Sequence, residues 1–149
     1  MSAAASGRGA TPTPASGPAD ASSGSDASDK PGIMIVEDDF FIATDLEHQL
    51  LQAGYHVVGV AASAAEAVEL ARRTHPAVAI VDVRLADGSD GVDAALKLYV
   101  EFKIRSLFAT AHNDPTTRSR AEAAVPLGWI AKPYSSQSLV DALKRALAR

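Results

Sequence analysis

Cysteine is absent from all 149 residues. That excludes disulfides and thiolate metal sites, and it fits a cytoplasmic protein. No apolar run is long enough to cross a bilayer, so the sequence gives no sign of a membrane protein. A basic surplus is missing too. The formal net charge is −4, which gives no cationic footprint for a nucleic acid partner. Residues 1–31 contain no Leu, Ile, Val, Phe, Tyr or Trp and consist almost entirely of Ala, Ser, Gly, Pro, Thr and Asp. Such a stretch cannot bury enough apolar area to offset its ordering entropy, so a disordered tail is expected. It has neither the apolar centre of a secretory signal nor the arginine content of a transit peptide, its one arginine being Arg8. The folded part is expected over 32–149, a length that suits one domain.

What is present from Gly32 onward is an alternation of short apolar runs with helical patterns. Ile33, Met34, Ile35 and Val36 read as a buried strand. A helix over 41–53 follows, with Ile42, Leu46 and Leu50 on one face and Gly54 just past its end. Residues 56–60 read as a second strand, 63–74 as an Ala-rich helix, and 77–81 as a third strand running into Asp82. A loop over 87–91, rich in Gly and Asp, lacks the spacing of a phosphate cradle and reads as a turn into a helix carrying Val92, Leu96 and Tyr99. Residues 106–109 form the fourth strand, ending on Thr110. Asp114 and Pro115 are a cap followed by proline at the first helical position, and they open a short, weakly apolar helix. Residues 128–131 form the fifth strand, ending on Lys132 and Pro133. The last helix spans 136–148, with Leu139, Leu143 and Leu147 aligned and Arg145 and Arg149 near its C-terminal end. Five such units predict a doubly wound five-stranded parallel sheet of flavodoxin-like type, order 2-1-3-4-5, with its functional edge at the carboxyl ends of the strands.

That edge collects the polar residues. Strand one ends in Glu37, Asp38 and Asp39, strand three in Asp82, strand four in Thr110 and strand five in Lys132. Three bare carboxylates at one point repel one another. A hard divalent cation removes the repulsion, and Mg²⁺ suits a shallow, partly hydrated oxygen site. With a hydroxyl and an ammonium opposite, the set provides what phosphoryl transfer to a carboxylate requires: nucleophile, metal, and donors for the equatorial oxygens. The remaining histidines, His48, His56 and His75, have no metal-ligand spacing and read as structural or surface residues.

From Ile33 to Ala148 the chain resembles a response-regulator receiver domain, the phosphoacceptor half of two-component signalling. The matching pieces are Ile-Val-Glu-Asp-Asp at 35–39, Val-Asp-Val at 81–83, Ala-Thr-Ala at 109–111 and Lys-Pro-Tyr at 132–134. The resemblance implies that Asp82 is the phosphoacceptor. It implies that Asp38 ligates Mg²⁺ directly, Glu37 through water, and Arg84 by its backbone carbonyl. It assigns Thr110 and Lys132 to the phosphoryl oxygens and leaves Asp39 a helix-start role. It also implies a switch in which Thr110 moves toward the phosphoryl group and an aromatic on strand five turns inward. Trp129 holds that position, where the family usually has Tyr, Phe or His, so the inward turn stands beside simple packing on the sheet. Arg84 and His112, each two residues beyond a site residue, correspond to positions that tune attack by water, and a persistent phosphoryl group is expected.

The implied partners are a histidine kinase or histidine phosphotransfer protein and a downstream target protein, with no nucleic acid and no membrane. The expected contact surface is the fourth helix, fifth strand and fifth helix. No output domain is expected, which leaves relay, phosphate drainage from a kinase, and target binding as outputs. Beyond its own phosphorylation and slow self-dephosphorylation, no enzyme activity is expected. Two other readings share the fold: a small enzyme or flavin-type binding protein, and a degenerate receiver used only for docking. The acids after strand one weigh against the first, and retention of every site position weighs against the second.

Overall fold

The computed structural model describes residues 30–85, 90–112 and 114–148. The tail reading therefore lies outside the described residues, save for its last two positions. So do most of the 87–91 loop and Arg149. Five parallel strands form one sheet in the order β2-β1-β3-β4-β5: β1 Gly32–Val36, β2 His56–Ala61, β3 Val78–Asp82, β4 Arg105–Thr110 and β5 Gly128–Ala131. The helices are α1 Phe40–Gln52, α2 Ala64–Thr74, α3 Gly91–Phe102, α4 Pro115–Ala121 and α5 Ser136–Leu147, with a 3-10 turn at Glu122–Ala124 after α4. Among the described residues, no helix is long and apolar enough to cross a membrane.

Alternation along the strands divides the core in two. Ile33, Ile35, Val78, Ile80, Leu107 and Ile130 face one way, against α1 and α5. Met34, Val36, Ala79, Val81 and Phe108 face the other, against α2, α3 and the α4 segment. Both faces are covered, which is why the strands read as continuous apolar runs. Ser106 is the exception. Its hydroxyl is fully buried and has no hydrogen-bond partner. Leaving a buried donor unsatisfied costs free energy that an apolar replacement recovers. Ser106→Ala is therefore expected to leave the urea midpoint unchanged or raise stability by up to about 1 kcal/mol. A clear loss would mean that the hydroxyl has a partner in solution.

Local chemistry sets the helix starts. Asp39, Asp90 and Asp114 cap α1, α3 and α4 through their side chains, while Ser63 and Ser135 cap α2 and α5. The sequence reading of α1 needs one correction. Its inner face is Ala43, Leu46 and Leu50, and Ile42 is 40% exposed. The Leu46–Leu50 line continues inward through Ala43, one helical step (about 100°) away from Ile42. Likewise Leu98, fully buried, is the main anchor of α3, whereas Leu96 and Tyr99 are only partly covered.

Candidate functional site

The carboxyl ends of β1, β3, β4 and β5 bring the expected residues together. Just past the end of β1, the Glu37 N–H bonds the Ala61 carbonyl at 2.9 Å. The Glu37 side chain is buried, and its Oε2 accepts the Asp39 N–H at 3.1 Å. Carboxylate oxygens of Glu37, Asp38 and Asp82 lie within 4.8 Å of one another. The ammonium of Lys132 reaches in from β5, with Nζ 3.1 Å from Asp82 Oδ1 and 3.8 Å from Glu37 Oε1. Its backbone N–H is held by the Thr110 carbonyl at 2.8 Å, which fixes the end of β5 beside that of β4.

One ammonium among three carboxylates leaves the site with surplus negative charge. The buried Glu37 carboxyl is pushed up to about 7 from an ordinary 4.5. Burial is the main cause, and the charges of Asp82 and Asp38 add to it, while the Asp39 N–H and Lys132 oppose it. An all-oxygen donor set with excess negative charge fits a hard divalent cation such as Mg²⁺. Glu37, Asp38 and Asp82 are the groups that would hold it.

The flanking residues are placed as follows. The Arg84 N–H lies 3.4 Å from Asp82 Oδ1, and Arg84 itself is exposed. The Thr110 hydroxyl donates to the His112 carbonyl at 2.8 Å and accepts the His112 N–H at 3.2 Å. It is thus engaged with its own loop. His112 is exposed and meets Thr110 through its main chain. Trp129 is half-buried, stacked on Phe108 with ring centroids 4.7 Å apart, and covered by the Arg118 guanidinium at 4.6 Å. Asp39 accepts the Phe41 and Ile42 N–H groups, the helix-start role expected of it.

Several residues at the site escaped the sequence reading. Phe40 and Phe41 are 74% and 81% exposed at the start of α1, edge to face at 5.7 Å. Two adjacent aromatics directly after an acidic run cannot both face a core from one helical turn, and that was the available signal. Phe41 lines a cleft of about 530 Å³ with Ile42, Asp45, Ala111, Lys132 and Tyr134. The Tyr134 hydroxyl is pushed up to about 12 by burial first and then by the charges of Glu37, Asp45 and Asp82, so it stays protonated beside the acids.

Comparison with known proteins agrees with this geometry. The family model described as response regulator receiver domain matches residues 33–144. Phyllosphere-induced regulator PhyR of Methylorubrum extorquens is 36% identical over 116 residues, covering 77% of this chain and 43% of that protein. Transcriptional regulatory protein PdtaR of Mycobacterium tuberculosis is 33% identical over 117 residues, covering 78% and 57%. The chain thus spans about half the length of the curated relatives it matches. Among solved structures, the signal receiver domain of a modulated diguanylate cyclase from Desulfovibrio desulfuricans superposes with a TM-score of 0.73 at 35% identity, covering 80% of this chain and 94% of that one.

Proposed function

We propose that this chain, which belongs to the response-regulator receiver family, accepts a phosphoryl group on Asp82 and signals by the resulting change in its protein contacts or by passing the group on. The donor is a phosphohistidine of a histidine kinase or histidine phosphotransfer protein. The observation that carries this reading is the Lys132 ammonium 3.1 Å from Asp82 Oδ1, beside two further carboxylates at the same sheet edge. In the step itself an Asp82 carboxylate oxygen bonds to phosphorus. The N–P bond to the donor imidazole breaks, and its electron pair stays on the imidazole nitrogen. Lys132 exchanges its carboxylate contact for a phosphoryl oxygen, and the Thr110 hydroxyl, released from His112, supplies a second contact. Bound Mg²⁺ would neutralise the charge that gathers on the phosphoryl oxygens. Arg84 and His112 are exposed two residues beyond Asp82 and Thr110, where long side chains would crowd the attacking water and favour a persistent phosphoryl group. The output surface is α4, β5 and α5. Beyond this self-modification the protein does no enzymatic chemistry.

Incubation with Mg²⁺ and acetyl phosphate, followed by intact mass, is the direct test. One added phosphoryl group is expected, and a time course after donor removal reads its persistence.

Metal binding is expected to show in stability as a function of pH. Glu37 holds its proton more tightly in the folded chain than in the unfolded one, so between pH 4.5 and about 7 the native state carries more protons. Its contribution therefore declines as pH rises through that window. A cation that binds the ionised carboxylates reverses this loss. Thermal unfolding should accordingly show a large Mg²⁺-induced rise in Tm at pH 8 and little at pH 5. An equal rise at both values would remove Glu37 from the metal site.

A further inference from the structure

Helix α4 is poorly held by apolar contact. It has seven residues, and only Ala121 is buried. What ties it down is cationic. Arg118 lies over the Trp129 ring on β5. Arg120, on a different face of the helix, places Nη2 2.9 Å from Asp90 Oδ2 and 3.5 Å from Asp93 Oδ1, both on α3 or at its cap. Asp90 is the informative partner. Its other oxygen, Oδ1, accepts the Val92 N–H at 2.7 Å and so caps α3, which fixes the carboxylate in one orientation. The Asp90 main chain also forms an antiparallel bridge with Arg84. Arg84 in turn points its N–H at Asp82 Oδ1. From Asp82 to α4 there are thus three links: Asp82 to Arg84, Arg84 to Asp90, and Asp90 to Arg120.

We propose that Arg120 is a positioning residue of the phosphorylation site, coupling the main chain after Asp82 to α4 and the Arg118–Trp129 stack by way of Asp90. The inference rests on the reading of Asp82 as phosphoacceptor. It adds a route on the β3–α3 side of the site, separate from Thr110. It needs no rotation of Trp129, which is sandwiched between Phe108 and Arg118. A displacement at Arg84, whose N–H points at Asp82 Oδ1, changes the Asp90 position and hence where Arg120 can pair. Coupling of this kind is reciprocal, so loss of the pair alters both α4 and the chemistry at Asp82.

The chain holds one tryptophan, so fluorescence reads Trp129 alone. Acrylamide quenching is measured on the full chain in Mg²⁺, before and after acetyl phosphate, with phosphoryl occupancy followed by intact mass. The variants are Arg120→Gln, Asp90→Asn (which keeps a good helix cap), the double variant, and Arg120→Lys as a charge-preserving rescue. In Arg120→Gln and Asp90→Asn, Trp129 is expected to be more readily quenched before phosphorylation. The change on phosphorylation should shrink about two- to fivefold, the factor corresponding to a partly exposed ion pair. The double variant should go no further than either single one, and the lysine should restore most of the response. The proposal falls if phosphorylated Arg120→Gln responds like wild type, or if the two single effects add. Should wild type gain no mass from acetyl phosphate or from a phosphohistidine donor, the phosphoacceptor reading fails instead, and the starting quench still judges the coupling. An unchanged starting value in Arg120→Gln overturns it.

Discussion

Asp82→Asn is expected to take up no phosphoryl group from acetyl phosphate and Mg²⁺ under conditions in which wild type gains one. The substitution keeps the size of the side chain and removes what the reaction uses. An amide oxygen is a far weaker nucleophile than a carboxylate, and the Lys132 contact at 3.1 Å loses its charge partner. Lys132 still has Glu37, whose Oε1 lies 3.8 Å away, so it is not stranded. Burial, the main cause of the raised Glu37 carboxyl, stays, but the smaller part that the Asp82 charge adds is relieved. The variant should therefore fold normally and bind Mg²⁺ more weakly, with the mass experiment separating chemistry from folding. A phosphoryl group on the Asp82→Asn protein would put the acceptor elsewhere. If wild type gains none, a phosphohistidine donor is the next trial, and failure with both would leave a docking module.

The fold was legible because its signals are redundant. Each strand is an apolar run bounded by Gly, Pro or a polar cluster, and each helix start carries Asp or Ser at the cap position. The acids, the hydroxyl and the lysine were legible for the same reason: in a parallel sheet, residues that end strands must converge. What sequence could not supply was lateral contact. Arg118 and Arg120 share α4, but their partners Trp129 and Asp90 lie on β5 and at the cap of α3, and nothing in the spacing announces that two cations hold α4. Ile42 shows the limit of periodicity. Its four-residue spacing to Leu46 and Leu50 matched a buried stripe, yet Ala43 fills the inward position. Trp129 was anticipated at its position, but the stack that holds it depends on β4–β5 register pairing it with Phe108.

Gly91→Ala is expected to be among the most damaging single methyl groups the domain could receive, and through packing alone. Sequence placed this glycine in a turn, where its value would be conformational freedom. The structure gives it a different task. Gly91 is the first residue of α3, is buried, and donates its N–H to the Val83 carbonyl at 2.8 Å. The helix start is thereby pressed onto the main chain that carries Asp82. A Cβ at this position would overlap the Asp82 carbonyl oxygen and lie 2.8 Å from its carbonyl carbon and 2.9 Å from Val83 Cα. All three are backbone atoms of β3 or its immediate continuation, so no side chain can rotate away to make room. Either α3 lifts off or the Asp82 peptide shifts. Lifting α3 disturbs Val92 and Leu98, both fully buried, and overpacking of this severity costs about 3 kcal/mol. Shifting the peptide moves the Asp82 carboxylate away from Lys132. Urea unfolding and phosphoryl uptake should therefore fail together, in contrast to Asp82→Asn, where uptake alone is lost. A Gly91→Ala protein of wild-type stability that still takes up the phosphoryl group would mean that α3 does not sit on the Asp82 main chain.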